Sequence, residues 1–128
     1  MDKNEIEIFL KKMLNSLTDV KVFNDRSRKD SIYPYIVMDS SNINTQLYPR
    51  VDVDLTLNIW DKSQNYIKVN EIADIIQSAL DRNSKVADNI TATFYLNTRK
   101  NVDDEDKELK RVYMLFDVEI YQFEKEEQ

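Results

Sequence analysis

The chain has no cysteine, no histidine and no glycine among its 128 residues, and only two prolines and one tryptophan. Without cysteine there is no disulfide, no thiolate nucleophile and no cysteine zinc site. Without histidine there is no Ser-His-Asp triad and no imidazole working near pH 7, and the commonest transition-metal ligand is missing. Without glycine the G-x-G-x-x-G fingerprint and the P-loop are excluded, because both need backbone geometry that glycine adopts without steric cost. No run of about 18 apolar residues occurs, which excludes a helical membrane span. These absences remove most familiar enzyme classes.

What is present suffices for one core. Hydrophobic residues make up 41% and charged residues 33% of the chain, and a domain of this length buries about two-thirds of its unfolded surface. We expect one domain over residues 1–123, followed by a charged tail, 124–128. The start, Met1-Asp2-Lys3-Asn4-Glu5, is charged and leads into an amphipathic pattern, so it does not read as a signal peptide. Twenty-four acidic against 18 basic residues give a net charge of −6 and a pI near 4.7. That balance opposes tight non-specific DNA binding, which depends on neutralising phosphates. It is compatible with surrounding DNA without gripping it.

Ile6, Phe9, Leu10, Met13, Leu14 and Leu17 fall on one stripe of a helix. Asp2 or Asn4 is placed to cap it, and Glu5 and Glu7 suit the positive end of its dipole. Val20 to Phe23 reads as a short strand, residues 24–31 as a polar loop, and Tyr35 to Asp39 as a second strand after Pro34. Residues 40–49 read as a polar connection. Val51, Val53, Leu55, Leu57 and Ile59 then alternate with Asp52, Asp54, Thr56 and Asn58, giving one apolar and one wet face. Trp60 falls on the wet side, at the strand's end.

Asp61 and Ser63 are candidate caps for a second helix, its buried face read as Ile67, Ile72, Ala73, Ile75, Ile76, Ala79 and Leu80. Asn83-Ser84 is its stop signal, since asparagine tolerates left-handed backbone. Ile90, Ala92, Phe94 and Leu96 mark a further strand, and Val112, Met114, Phe116, Val118 and Ile120 the last. The order predicts an α+β fold: a mainly antiparallel sheet of about five strands with two helices packed on one face.

Four groups of residues are functional candidates. The run Asp103, Asp104, Glu105 and Asp106, with Glu108, is too polar to pack and reads as a solvated loop. A calcium loop spaces its oxygens at alternate positions around a sharp glycine turn, which opposes a metal site here. Repeated in an oligomer, such a loop would repel nucleic acid from a channel wall. Asp52 and Asp54 share one strand face, but no apolar pocket is in view to set them up for acid–base chemistry. They read as solvated, or as partners of Arg50, Arg111 or another subunit. Arg26, Arg28 and Lys29 form a basic patch too small for a nucleic-acid site and suited to an acidic patch on a neighbouring chain. Tyr113, Leu115 and Tyr121 lie opposite the core series of the last strand, so that strand is partly apolar on both sides. Its second side must be covered by its own chain or by a neighbouring subunit. With Trp60 and the basic patch, these three are the candidate subunit-interface residues. No nucleophile–base pair can be assembled, so the chain reads as non-enzymatic, without metal or cofactor.

The order of motifs also resembles a known family. Tyr33-Pro34-Tyr35-Ile36-Val37, the long strand closing on Ile59-Trp60-Asp61, a helix carrying Ile72-Ala73-Asp74-Ile75 and Ala79-Leu80, and the closing strand from Arg111 to Ile120 follow in the order seen in the tail-completion, or tail-terminator, proteins of long-tailed bacteriophages. These are also called head–tail joining proteins. The resemblance runs from the first helix to about Tyr121. It implies a ring, typically a hexamer, that sits on the last ring of tail-tube protein and ends tube growth. The same ring would meet a head connector or head-completion protein and let DNA pass through its centre without specific binding. It implies a place in the virion, at the head-proximal end of the tail, after assembly in the host cytoplasm, with no membrane partner. On this reading Asp103, Asp104, Glu105, Asp106 and Glu108 face the lumen or an axial interface. Two other readings stay open: a different neck or head-completion (connector) protein, and a small acidic DNA-mimic inhibitor.

Overall fold

Helix α1 (Lys3–Leu17) opens at Asp2, whose carboxylate accepts the Glu5 N–H at 2.8 Å. Asp2 rather than Asn4 is the cap, a contact worth about 1 kcal/mol. The computed structural model describes residues 2–24, 32–87 and 89–123. Along α1 the expected stripe of Ile6, Phe9, Leu10, Met13 and Leu14 is buried, with Leu17 at its margin.

Strand β1 (Lys21–Phe23) lies parallel to β2 (Tyr35–Asn44). β2 runs on past Asp39 into a stretch whose polarity reads as a connection. Ser40 takes a core position there, fully buried, and its hydroxyl donates to Glu7 Oε1 at 3.2 Å. The register slips between Ser41 and Asn44, where Asn42 adopts a φ of 50°. β3 (Arg50–Lys62) returns antiparallel to β2.

Helix α2 (Ile67–Leu80) begins later than Asp61 or Ser63 predicts. Asp61 belongs to β3, opposite Lys110. Ser63 shapes the turn instead: its hydroxyl accepts the Asn65 N–H at 3.4 Å, and Asn65 Oδ1 accepts the Ile67 N–H at 3.0 Å. Of the expected face Ile72, Ala73, Ile76 and Leu80 are buried, joined by Val69, while Ala79 is half-buried and Ile67 and Ile75 are exposed. After the helix the left-handed residue is Arg82, at φ 60°, not Asn83. Asn83 contributes through its side chain, whose amide donates to the Ser78 and Ala79 carbonyls at 3.4 and 3.2 Å.

β4 (Ser84–Ala87) and β5 (Ile90–Asp103) form a hairpin, and β6 (Leu109–Gln122) pairs with both β5 and β3. The strand order is β1-β2-β3-β6-β5-β4. The sheet therefore has six strands rather than about five and is mixed, with β1 and β2 parallel. Periodicity does not reveal β4, because its one large apolar residue, Val86, points to solvent. The α+β class with two helices holds.

Val51 to Ile59 at the odd positions of β3, Val112 to Ile120 at the even positions of β6, and Ala92 and Phe94 of β5 join the buried residues of both helices in one cluster. Both helices thus cover the same face of the sheet. Between Leu96 and Thr98 the β5–β6 register shifts. Before the shift Phe94 and Leu96 lie opposite the core residues Val118 and Phe116; after it Arg99 and Asn101 lie opposite Met114 and Val112. Cross-strand partners share a face, so the bulge turns Arg99 toward α2. Its guanidinium donates to Asp74 at 2.8 Å, to Gln77 at 2.7 Å, and to the carbonyl and side-chain oxygens of Asn70 at 3.2 and 3.1 Å. No helix among the described residues is long and apolar enough to cross a membrane.

Candidate assembly face

The face of the sheet away from the helices carries the residues that the sequence marks as candidates. Alternation along β3 and β6 sends Asn58, Trp60, Arg111, Tyr113 and Leu115 to this side, and the register sets Tyr35 against Trp60 and Arg111 against Trp60. Trp60 is half-buried. Its ring stacks beside Tyr35 at 6.5 Å, and the Arg111 guanidinium lies 4.9 Å from its centroid. Arg on a tryptophan face is the stronger form of cation–π contact. The same Arg111 donates to Asn58 Oδ1 at 3.0 Å, so it serves this stack and not the carboxylates of Asp52 and Asp54.

The aromatic group extends outward from Tyr35, with Tyr33 at 5.2 Å and Phe23 edge-on at 6.1 Å. Burial, followed by the neighbouring Tyr35 and the charges of Asp106 and Asp104, pushes the Tyr33 phenol above its ordinary value. One residue pair along, Lys100 lies 5.5 Å over the Tyr113 ring. Leu115 follows, opposite Thr56. Trp60, Tyr113 and Leu115 are thus brought into one half-buried aromatic and apolar band. Tyr121 is not part of it; it pairs with Arg50 at the far end of the same strands. Arg26, Arg28 and Lys29 lie outside the described residues. Sequence reading missed Tyr35 and Arg111 as members of the band, although the parity of the alternation places Arg111 with Tyr113.

The far half of the face is acidic. Asp54 faces Asp117, and Asp52 faces Glu119. Like charges directly opposite are unfavourable, and each pair here has local partners. Arg50 reaches Asp52 at 3.0 Å and Glu119 at 3.9 Å, Asn42 donates to Asp54 at 2.7 Å, and Asn97 donates to Asp117 at 3.1 Å. No group of three or more acidic side chains among the described residues has the arrangement to hold a metal ion.

The acidic run at the β5–β6 turn is shorter and more ordered than its composition suggests. Asp103 is the last residue of β5, where it accepts the Tyr66 hydroxyl at 2.7 Å. That hydrogen bond, with burial and the Asp103 charge, raises the Tyr66 phenol. In the loop proper Asp104 accepts the Asp106 N–H and Asp106 the Glu108 N–H, both at 3.0 Å. Lys62 pairs with Glu108 at 3.5 Å, and the Glu108 carbonyl accepts the Ser63 N–H at 2.8 Å, tying the loop to the β3–α2 turn. The acids therefore project from a fixed turn.

The fold is thus an α+β frame with both helices on one side of the sheet and an aromatic and acidic face on the other. Residues 11–121 match the family model described as tail completion protein gp17, and the chain belongs to that family. Its fold is similar to a chain from the virion of a native gene transfer agent (GTA) particle, at a TM-score of 0.68 and 11% identity, covering 89% of this chain and 91% of that one. At that identity the likeness shows the fold. No curated protein matches the sequence.

Proposed function

We propose that this chain is a non-enzymatic structural protein of a phage-type tail. It forms a ring, of six copies on the family pattern, that caps the tail tube, stops its growth and joins the tail to a head connector or head-completion protein. DNA passes through the centre unbound. The ring occupies the head-proximal end of the tail in the virion and is put together in the host cytoplasm. Membership of the tail completion family over residues 11–121 is the observation that carries this reading.

Within it, Trp60, Tyr113 and Leu115 are covered by a neighbouring subunit, and the turn bearing Asp104, Glu105, Asp106 and Glu108, with Asp103 beside it, faces the lumen or an axial partner. The open, aromatic sheet face supports the first assignment and the fixed acidic turn supports the second.

Purified protein mixed with tail-tube protein tests the reading by native mass spectrometry and negative-stain imaging. Closed rings at tube ends, with tube length arrested, are expected. Continued tube growth without rings rules the reading out. Binding to a portal-side protein but not to the tube assigns the chain to another neck component. Leu115→Glu is expected to fold and to lose the ring.

A further inference from the structure

Two apolar features are exposed on the molecule. The first is convex. Residues 45–49 join β2 to β3 in a turn closed by Tyr48 N–H to the Thr45 carbonyl at 3.2 Å and Arg50 N–H to the Leu47 carbonyl at 3.0 Å. Gln46 N–H adds a bond to Asn44 Oδ1 at 3.0 Å. At its tip Leu47 is 54% and Tyr48 82% exposed, so the turn presents a pre-ordered apolar knob. The second is concave. A groove of about 640 Å³ lies between α1 and the β4–β5 hairpin, lined by Ile8, Phe9, Met13, Val86 and Ile90. Ile8 is 56% and Val86 72% exposed within one chain.

Charge follows the same match. Two lysines, Lys12 and Lys85, stand in the groove wall, with Glu5 the acid among its described lining residues. Beside the knob the sheet carries the acidic rows Asp52/Glu119 and Asp54/Asp117, and among the described residues Arg50 is the base paired with the first of them. We propose that the Leu47–Tyr48 turn of one copy seats in the α1–β4 groove of the next, setting its acidic rows toward Lys12 and Lys85. This rests on the ring reading and deepens it. The contact is heterologous, with the sheet side of one copy against the helix side of its neighbour, which is the kind that closes into rings.

The area sets when it forms. A tyrosine and a leucine bury on the order of 250 Å² together, well below the roughly 800 Å² per partner of a stable interface. One such contact does not hold two free copies together. Repeated around copies already gathered at a tube end, it acts intramolecularly and adds once per subunit.

The absence of native cysteine makes the test clean. Copies carrying Leu47→Cys and copies carrying Val86→Cys, mixed and oxidised on purified tail-tube protein, should cross-link as heterodimers. A chain carrying both changes should give a ladder ending at the ring's subunit number. Tyr48→Asp, at an exposed position, should keep the wild-type melting curve and lower ring occupancy at least about tenfold, a hot-spot effect, while Tyr48→Phe keeps the rings. Wild-type rings without any cross-link, or undiminished rings with Tyr48→Asp, overturn this contact and leave the ring reading standing. Absence of rings with wild-type protein overturns both.

Discussion

Asp54 and Asp117 stand directly opposite one another on β3 and β6, both on the exposed face of the sheet. Opposed like charges cost a few tenths of a kcal/mol to about 1 kcal/mol. Their amide partners, Asn42 and Asn97, soften the repulsion without cancelling the charge. Asp117→Asn, which keeps the acceptor oxygen, is expected to raise the thermal midpoint at low salt, and the gap to wild type should narrow as salt screens the pair. Asp54→Asn added to it should contribute less than it does alone, because the pair is already relieved. A lower midpoint for Asp117→Asn at low salt would show that the amide contact outweighs the repulsion.

Arg99 is the polar anchor between β5 and α2, with partners on Asn70, Asp74 and Gln77. Its guanidinium is mostly covered, while Asp74 is largely exposed, so the ion pair itself is screened and the fork of hydrogen bonds dominates. Arg99→Ala is expected to cost about 2 kcal/mol in denaturant unfolding. Arg99→Lys should recover less than half of that, since an ammonium cannot reach all three residues at once.

Arg82 adopts a left-handed backbone in a chain without glycine. That conformation costs a residue with a Cβ about 1 kcal/mol, and the Arg82 N–H is committed to the Phe94 carbonyl at 2.7 Å, which fixes the geometry. Arg82→Gly is therefore expected to stabilise the fold, read as a higher denaturant midpoint with an unchanged slope. Arg82→Val should do the opposite.

The Tyr66 phenol is raised above its ordinary 10.0 by its hydrogen bond to Asp103 first, then by burial and the Asp103 charge. The folded state therefore favours the protonated phenol. Its contribution is complete below the ordinary value and is lost as pH rises through the raised one. Wild type should exceed Tyr66→Phe in stability near neutrality, and the difference should shrink above about pH 10. A difference that stays constant across the alkaline limb would remove Tyr66 ionisation as its cause.

The core was legible because alternation survives wherever one face is buried. Val51 to Ile59, Val112 to Ile120 and the α1 stripe lie where the periodicity puts them. β4 was not legible, since a four-residue edge strand with an exposed Val86 has no inward face to advertise. The polar end of β2 escaped for a related reason: Ser40 fills a core position through a hydrogen bond to Glu7, which leaves no hydrophobic mark. Of the candidate site, Trp60, Tyr113 and Leu115 were readable as sharing the wet face. The Tyr35–Trp60–Arg111 stack was not, because strand pairing across β2, β3 and β6 creates it and no local spacing encodes it.

The bulge at Asn97 gives the β5 strand two reading frames. Up to Leu96 the even positions serve the helices; from Arg99 onward the odd ones do. Deleting that unmatched residue would leave Arg99 opposite Met114 and Lys100 opposite Tyr113, whereas inserting one residue between Thr98 and Arg99 would carry Arg99 to the outer face, removing the clamp on α2 and putting an arginine where Lys100 covers Tyr113. The inner and outer surfaces of the protein are thus bound together in inheritance without touching. Point substitutions can alter either surface separately, whereas one residue inserted between Thr98 and Asp103 rewrites both from that point on.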